Sequence, residues 1–298
     1  MPRGPTLLIV GVMAGLAFPV LADSMRPLMA AAIFVLVLGT FLQVDGAAFR
    51  RALRRPLVWL LLPALAMLVC PLAIGFAARG AGLPTELVVA LVLSVCAPPS
   101  SGTAAVARML GFDGTVPLAV TLLSMALAPV TVPLIAAGFA GLALDPLALA
   151  ARLALLLGSA SALALLLRRQ AGAQLARHSR IIDAFVLASL LLFAISTMAG
   201  VRAQIAAQPR AAAICVGLAL ACNLALQVLG AVLTPGSLAE RLTAGLILGN
   251  RNVGLVWSAM GAAASPMTTL FFAATQFPIY IAPRLIEMLV RREESSSP

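Results

Sequence analysis

Apolar runs of about twenty residues recur along this chain and are separated by short loops that carry most of its charge. A helix needs about 20 apolar residues to cross the roughly 30 Å of hydrocarbon in a bilayer. Apolar residues make up 62% of the 298 residues and charged residues only 10%, whereas an average soluble domain has about 25% charged residues. The pattern therefore predicts an all-α protein whose helices lie in a membrane.

The apolar runs number ten and divide into two sets of five. We predict spans near 6–22, 28–44, 56–78, 84–111, 115–141, 147–167, 181–200, 210–233, 238–264 and 267–290. Residues 1–143 contain the first set and residues 144–292 the second, with the turn Asp145-Pro146 between them. Because five is an odd number, the second set starts on the opposite face of the membrane, as in the inverted repeats of many secondary transporters.

The net charge of +10 comes from arginines in the loops between these spans. Most of them, including the cluster at 50–55, fall on one side of the ten-span arrangement, and arginine-rich loops stay in the cytoplasm. We therefore expect a multi-pass protein of the bacterial inner membrane with both termini cytoplasmic and no nucleic acid partner. One alternative for residues 6–22 stays open, because a short basic start and the sequence Val20-Leu21-Ala22 also fit a secretory signal peptide.

The fourth span of each half is interrupted near its middle. In the first half, Pro98 and Pro99 donate no backbone hydrogen bond and disfavour helical geometry in the residue before each of them. At the corresponding place in the second half stands the polar stretch 249–254, which begins and ends with glycine. Unwound backbone at membrane depth is tolerated only where it is buried in protein or lines a watery cavity. We predict two crossed, discontinuous helices with a polar cavity between them.

The predicted cavity has groups that suit an anion. Helices that start after each interruption direct N-terminal amides into it, and such amides favour negative charge. Arg251 adds a positive charge, although it is also possible for this side chain to be structural and to bond carbonyls at the break. Ser100 and Ser101 could bind the anion or could instead cap the helix that follows the break. The predicted substrate-binding residues are Pro99, Ser100, Ser101, Gly102, Thr103, Asn250, Arg251 and Asn252.

Two stretches resemble the bile acid:sodium symporter family, which has bacterial members. The stretch 99–104 is similar to the family's proline-glycine-glycine-threonine-alanine crossing motif, and 251–255 is similar to the matching stretch of its ninth helix. The resemblance covers nearly the whole chain in span number and in the position of both breaks. It implies a panel domain of helices 1, 2, 6 and 7 and a core domain of helices 3 to 5 and 8 to 10.

The resemblance also implies where sodium would bind, and there this chain departs from the family. Sodium-coupled members place side-chain oxygens at six positions, and an ungapped alignment puts residues without such oxygens at all of them. These residues are Ala105, Val106, Ala119, Leu123, Ile247 and Arg251. Because sodium is a hard cation that oxygens must surround, we expect transport without sodium, with the guanidinium of Arg251 standing where a sodium ion would.

The predicted function is secondary transport of a small organic anion by alternating access. The first alternative is an arsenite-type or other efflux permease of the same superfamily, for which Cys96 beside the first break is the supporting residue. A channel and an intramembrane enzyme are further alternatives, but the spans contain no catalytic motif or carboxylate pair. We expect no enzymatic activity, no cofactor and no bound metal, and a monomer whose partners are the lipid bilayer and the anionic substrate.

Overall fold

The computed structural model describes residues 4–140 and 145–296, and every regular element in these two stretches is helical. The first stretch contains α1 (Gly4–Ala17), α2 (Pro19–Met25), α3 (Met29–Leu42), α4 (Gly46–Ala52), α5 (Leu57–Gly80), α6 (Thr85–Cys96), α7 (Thr103–Met109) and α8 (Thr115–Ala140). The second contains α9 (Pro146–Arg177), α10 (Ser179–Ser196), α11 (Val201–Ala207), α12 (Pro209–Leu233), α13 (Leu238–Gly249), α14 (Val253–Met260) and α15 (Pro266–Ser296).

Six helical segments among the described residues are long and apolar enough to cross a membrane. They are Pro19–Leu42, Leu57–Gly80, Thr115–Ala140, Pro146–Gly172, Ile181–Ala207 and Pro209–Leu233. Large apolar side chains on them face outward, as at Val20, Leu147 and Phe185, which are 83%, 79% and 66% exposed. Apolar surface of this extent is stable only in contact with lipid or another protein. The all-helical prediction is confirmed, and the six segments fit a multi-pass membrane protein.

The first two predicted spans differ from the observed helices. The prediction placed a loop between 22 and 28, but the chain is helical from Pro19 to Leu42 through a short 3-10 turn at Arg26–Leu28. The first helix instead ends at Ala17, because Phe18 precedes a proline and takes a non-helical conformation with φ −120° and ψ 77°. Pro19 then occupies the first position of a new helix, where a proline is favoured.

The boundary predicted between the two sets of spans, at 143/144, lies outside the described residues. Directly after it, Asp145 caps the N-terminus of α9. Its Oδ1 atom accepts hydrogen bonds of 3.0 Å from the backbone N–H groups of both Leu147 and Ala148. An aspartate at this position satisfies amides that the first helical turn leaves without partners. The turn anticipated at Asp145-Pro146 is therefore a helix start.

The helices pack into two groups that meet along one face. In one group α10 packs against both α1 and α3, and α3 packs against α9. In the other, α6 packs against α5, α8 and α15, and α12 packs against α13 and α15. The two groups meet where α8 packs against α9, where α14 contacts α3 and α9, and where α1 contacts α15. The candidate functional site lies between the two groups.

The contact between α12 and α13 depends on glycine. A Cβ atom added to Gly230 would lie 2.5 Å from the carbonyl oxygen of Ala244 and 2.9 Å from the Cα atom of Gly245. Both are backbone atoms, so no side-chain rotation relieves the clash. Small residues at helix crossings let backbones approach closely, and the resulting van der Waals packing is one of the forces that associate helices in lipid.

We expect Gly230→Ala to lower the free energy of unfolding by about 1 to 3 kcal/mol, which is typical of overpacking in a close contact. Gly217 on the same helix is the matched control, because a Cβ atom added there meets nothing within 4 Å. Gly217→Ala keeps the stability unchanged or raises it slightly, since alanine favours the helix. Thermal unfolding of both variants in the same detergent measures the difference, and equal midpoints would contradict the packing described here.

Candidate functional site

Both predicted interruptions are present in the structure. In the first, α6 ends at Cys96 and α7 begins at Thr103. Ala97 leaves the helix with φ −58° and ψ 140°, the extended conformation expected of a residue before proline. In the second, α13 ends at Gly249 and α14 begins at Val253, and Asn250 is likewise extended.

The two interruptions pair with each other through their backbones. Pro99 and Arg251 form an isolated antiparallel β-bridge. The N–H of Ser100 donates to the carbonyl oxygen of Asn250 at 2.8 Å, and the N–H of Asn252 donates to the carbonyl oxygen of Pro98 at 2.7 Å. Each unwound segment thus satisfies polar backbone groups of the other, which lowers the cost of unwinding both helices in an apolar surrounding.

Side chains hold the ends of the broken helices. The side-chain amide of Asn223 donates to the carbonyl oxygen of Gly249 at 2.8 Å, which satisfies the end of α13, and Gln227 donates to the Asn223 side chain in turn. At the start of α14, the Oδ1 atom of Asn252 accepts from the N–H of Leu255. Asn223 and Gln227, one helical turn apart on α12, therefore support the second interruption.

A cavity of about 350 Å³ lies directly against this bridge, between the two groups of helices. We call it the crossing cavity. Of the predicted substrate-binding residues, the following line it: Ser100, Ser101, Gly102, Thr103, Asn250, Arg251 and Asn252. Pro99, which is buried in the bridge, is not among the lining residues. The opposite wall is apolar and is formed by Leu8, Ile33, Leu36, Val186, Leu187, Leu190 and Phe193.

Arg251 is 4% exposed. Its Nη1 atom donates to the carbonyl oxygen of Ala66 at 3.0 Å and to that of Ala97 at 3.4 Å. Its Nε and Nη2 atoms are buried and have no hydrogen-bond partner among the described residues. One nitrogen therefore has the structural role that the sequence left open, while two further nitrogens have no such role.

Two more polar atoms in residues of the cavity are buried and have no hydrogen-bond partner in the part of the chain that the structure describes. They are the hydroxyl oxygen of Thr103 and the side-chain oxygen of Asn250, in residues that are 1% and 2% exposed. The serines are partly engaged. The Ser100 hydroxyl accepts from the N–H of Gly102 at 3.3 Å, and the Ser101 hydroxyl accepts from the Asn252 side chain at 3.5 Å. Buried polar groups without partners are costly, so they are strong candidates to contact a ligand.

The sequence prediction missed several polar residues of the cavity. Gln276 and Tyr280 line it from α15, one helical turn apart, and both are buried. Two polar residues four apart within an apolar span lie on the same face of a helix, and this pattern could have identified them in the sequence. Gln43, Arg108 and Asp183 line the exposed end, where the Gln43 side chain donates to Asp183 at 3.3 Å. Their convergence from three distant parts of the chain has no local sequence signal.

None of the six residues aligned with sodium ligands has a side-chain oxygen, and the structure places them in different surroundings. Ala105 and Val106 line the crossing cavity, whereas Ala119 and Ile247 are fully buried and Leu123 is half-buried. In the described residues, no three His, Cys, Asp or Glu side chains come together in a group able to hold a metal ion.

A comparison with protein-family models finds no match for this chain, and neither does a comparison with curated proteins.

Proposed function

We propose that this chain is a secondary transporter that carries a small organic anion by alternating access and does not use sodium. In this proposal ten helices form two inverted repeats in the inner membrane, with both termini in the cytoplasm. The group containing α1, α3, α9 and α10 is the panel domain. The group containing α5, α6, α8, α12, α13 and α15 is the core domain, which carries the two interruptions. The resemblance to the bile acid:sodium symporter family is consistent with this arrangement.

One observation carries the proposal: Arg251 lines the crossing cavity, and two of its buried guanidinium nitrogens have no hydrogen-bond partner among the described residues. Among the described residues, no aspartate or glutamate forms a salt bridge with it. A buried cation is expensive to keep without a counter-charge. An anionic substrate supplies that charge, while the apolar wall opposite contacts the rest of its body.

Arg251 also explains why sodium is unnecessary in this proposal. Its guanidinium bonds the carbonyl oxygens of Ala66 and Ala97, which are oxygen ligands of the kind a sodium ion would seek. An arginine keeps its charge at any physiological pH. The positive charge that a coupled ion brings only when bound is therefore permanent here. Facilitated diffusion, exchange and proton coupling are all compatible with such a site.

The arsenite-type alternative depends on Cys96. This thiol is fully buried and is not among the residues that line the crossing cavity. A cargo in the cavity would not reach it, so we favour the organic anion. For a channel we would expect a ring of charges or carbonyls along an open path, whereas Asn250 and Arg251, at the bottom of the cavity, are almost fully buried.

Thermal unfolding of the purified protein with a panel of acids tests the proposal. The probes are cholate, pyruvate and pantoate, each compared with its neutral amide, in sodium chloride and again in choline chloride. We expect at least one acid to raise the unfolding midpoint by about 3 °C or more at saturating concentration. Its amide has no such effect, and sodium adds nothing. A panel in which amides stabilise as well as acids would contradict the anion site, and stabilisation that requires sodium would contradict sodium independence.

A further inference from the structure

Arg251 also lines a second, smaller space. This space, which we call the inner chamber, has a volume of about 20 Å³ and lies between α6, α12, the end of α13 and α15. Its polar lining residues are Ser94, Cys222, Asn223, Arg251 and Thr275. One water molecule needs about 10 to 15 Å³ of such volume, so the inner chamber admits a single particle of roughly that size.

The charge in the inner chamber is unbalanced. Its lining residues include no aspartate or glutamate. Cys222 also lines the chamber, and a thiol is neutral at physiological pH. A guanidinium buried to 4% exposure beside a polar space has a strong preference for a counter-ion there. A neutral water molecule would accept a hydrogen bond but leave the charge uncompensated.

The other polar groups of the inner chamber are compatible with an anion. The hydroxyls of Ser94 and Thr275 now donate to carbonyl oxygens of their own helices, at 2.8 Å and 2.6 Å. Such hydroxyls can rotate and donate to a ligand instead. The side-chain nitrogen of Asn223 donates to Gly249 and its side-chain oxygen accepts from Gln227, so these two hydrogen bonds fix its position. The volume is too small for a carboxylate with its carbon body.

We propose that the inner chamber binds one small inorganic anion, of the size of chloride, as the counter-ion of Arg251. This anion site is separate from the crossing cavity and does not require that the protein transport anything. Where the proposed function also holds, one guanidinium adjoins both spaces. Chloride in the inner chamber then weakens the attraction of Arg251 for a carboxylate in the crossing cavity.

A halide titration with two matched variants tests this site. Ala219 lines the inner chamber, and Ala219→Val fills part of it without changing any charge. Ala212 is buried on the same helix two turns earlier, so Ala212→Val makes the same change in volume elsewhere. Unfolding midpoints are compared in potassium chloride and in potassium methanesulfonate at equal ionic strength. We expect chloride to raise the midpoint of the wild type and of Ala212→Val by about 3 °C, and not to raise that of Ala219→Val.

Crystals grown in bromide give a direct second readout, because anomalous scattering locates the ion. We expect a bromide peak within hydrogen-bond distance of the Arg251 side chain and surrounded by Ser94, Asn223 and Thr275. The proposal is overturned if chloride does not stabilise the wild type, if Ala219→Val responds to chloride as the wild type does, or if bromide binds only in the crossing cavity. Since no carboxylate is used, failure here is distinguishable from failure of the proposed transport function.

Discussion

Replacement of Arg251 with glutamine lowers the affinity for a carboxylate by about 10- to 100-fold. Hydrogen bonds to a charged group contribute about 1.5 to 3 kcal/mol, and each 1.4 kcal/mol is a factor of ten in affinity. Glutamine keeps a donor for the carbonyl oxygens of Ala66 and Ala97 but removes the charge and the two free nitrogens. The dissociation constant is measured by thermal titration with the acid that gives the largest shift in the panel.

The matched control for this variant is Arg152→Gln. Arg152 also bonds backbone carbonyls at a helix end, donating to Met260 at 3.1 Å and to Ala259 at 3.3 Å, but it is not among the residues of the crossing cavity. We expect this variant to lose stability and to keep its affinity for the acid. Arg251→Lys retains the charge and should fall between the wild type and Arg251→Gln. Unchanged affinity in Arg251→Gln would show that the guanidinium is structural alone.

Substitution of Gly254 by valine reduces transport at least tenfold without unfolding the protein. Gly254 lies on α14, where this helix packs against the opposite group of helices. A Cβ atom there would lie 2.5 Å from Cζ of Phe193 and 2.6 Å from Cδ1 of Ile33. Overpacking costs about 1 to 3 kcal/mol. In a protein that alternates between two states, such a cost in one state shifts the populations by roughly 5- to 150-fold.

Initial rates of uptake into proteoliposomes measure this effect. Gly158→Val on α9 is the control, because a Cβ atom at Gly158 meets nothing within 4 Å. We expect Gly158→Val to transport at the wild-type rate. Because Gly254 itself lines the crossing cavity, the affinity of Gly254→Val for the acid is measured separately by thermal titration, and we expect its loss of transport to exceed its loss of affinity. A Gly254→Val protein that transports normally would mean that α14 does not move against Phe193 and Ile33 during the cycle.

The interruptions of two helices were predictable from local chemistry. Pro98 and Pro99 lack backbone donors, and the polar stretch 249–254 cannot continue an apolar helix. Both breaks are present where they were expected. The pairing of Pro99 with Arg251 was not predictable, because it joins segments that are distant in the chain. The helix start at Pro19 was also predictable, because proline favours the first position of a helix. The prediction missed it because residues 6–22 form one continuous apolar run.

The hydrogen-bond partners of Arg251 could not be predicted from the sequence. Its charge and its position inside an apolar run indicated a functional or structural role, and the sequence left both open. Which carbonyls it bonds depends on the positions of Ala66 and Ala97, in α5 and just after α6. Which nitrogens stay free depends on packing around it. Such properties follow from tertiary structure and have no signature in residue spacing.

The binding of an organic anion in the crossing cavity, followed by its transport, is tested most directly by counterflow in sodium-free proteoliposomes. Vesicles are loaded with the unlabelled acid selected by the panel and diluted into a trace of the same acid in radiolabelled form. We predict that the label accumulates transiently above its equilibrium level, that this accumulation saturates with concentration, and that it is absent in Arg251→Gln. Label that only equilibrates, or that accumulates only with a sodium gradient, would contradict a sodium-independent carrier.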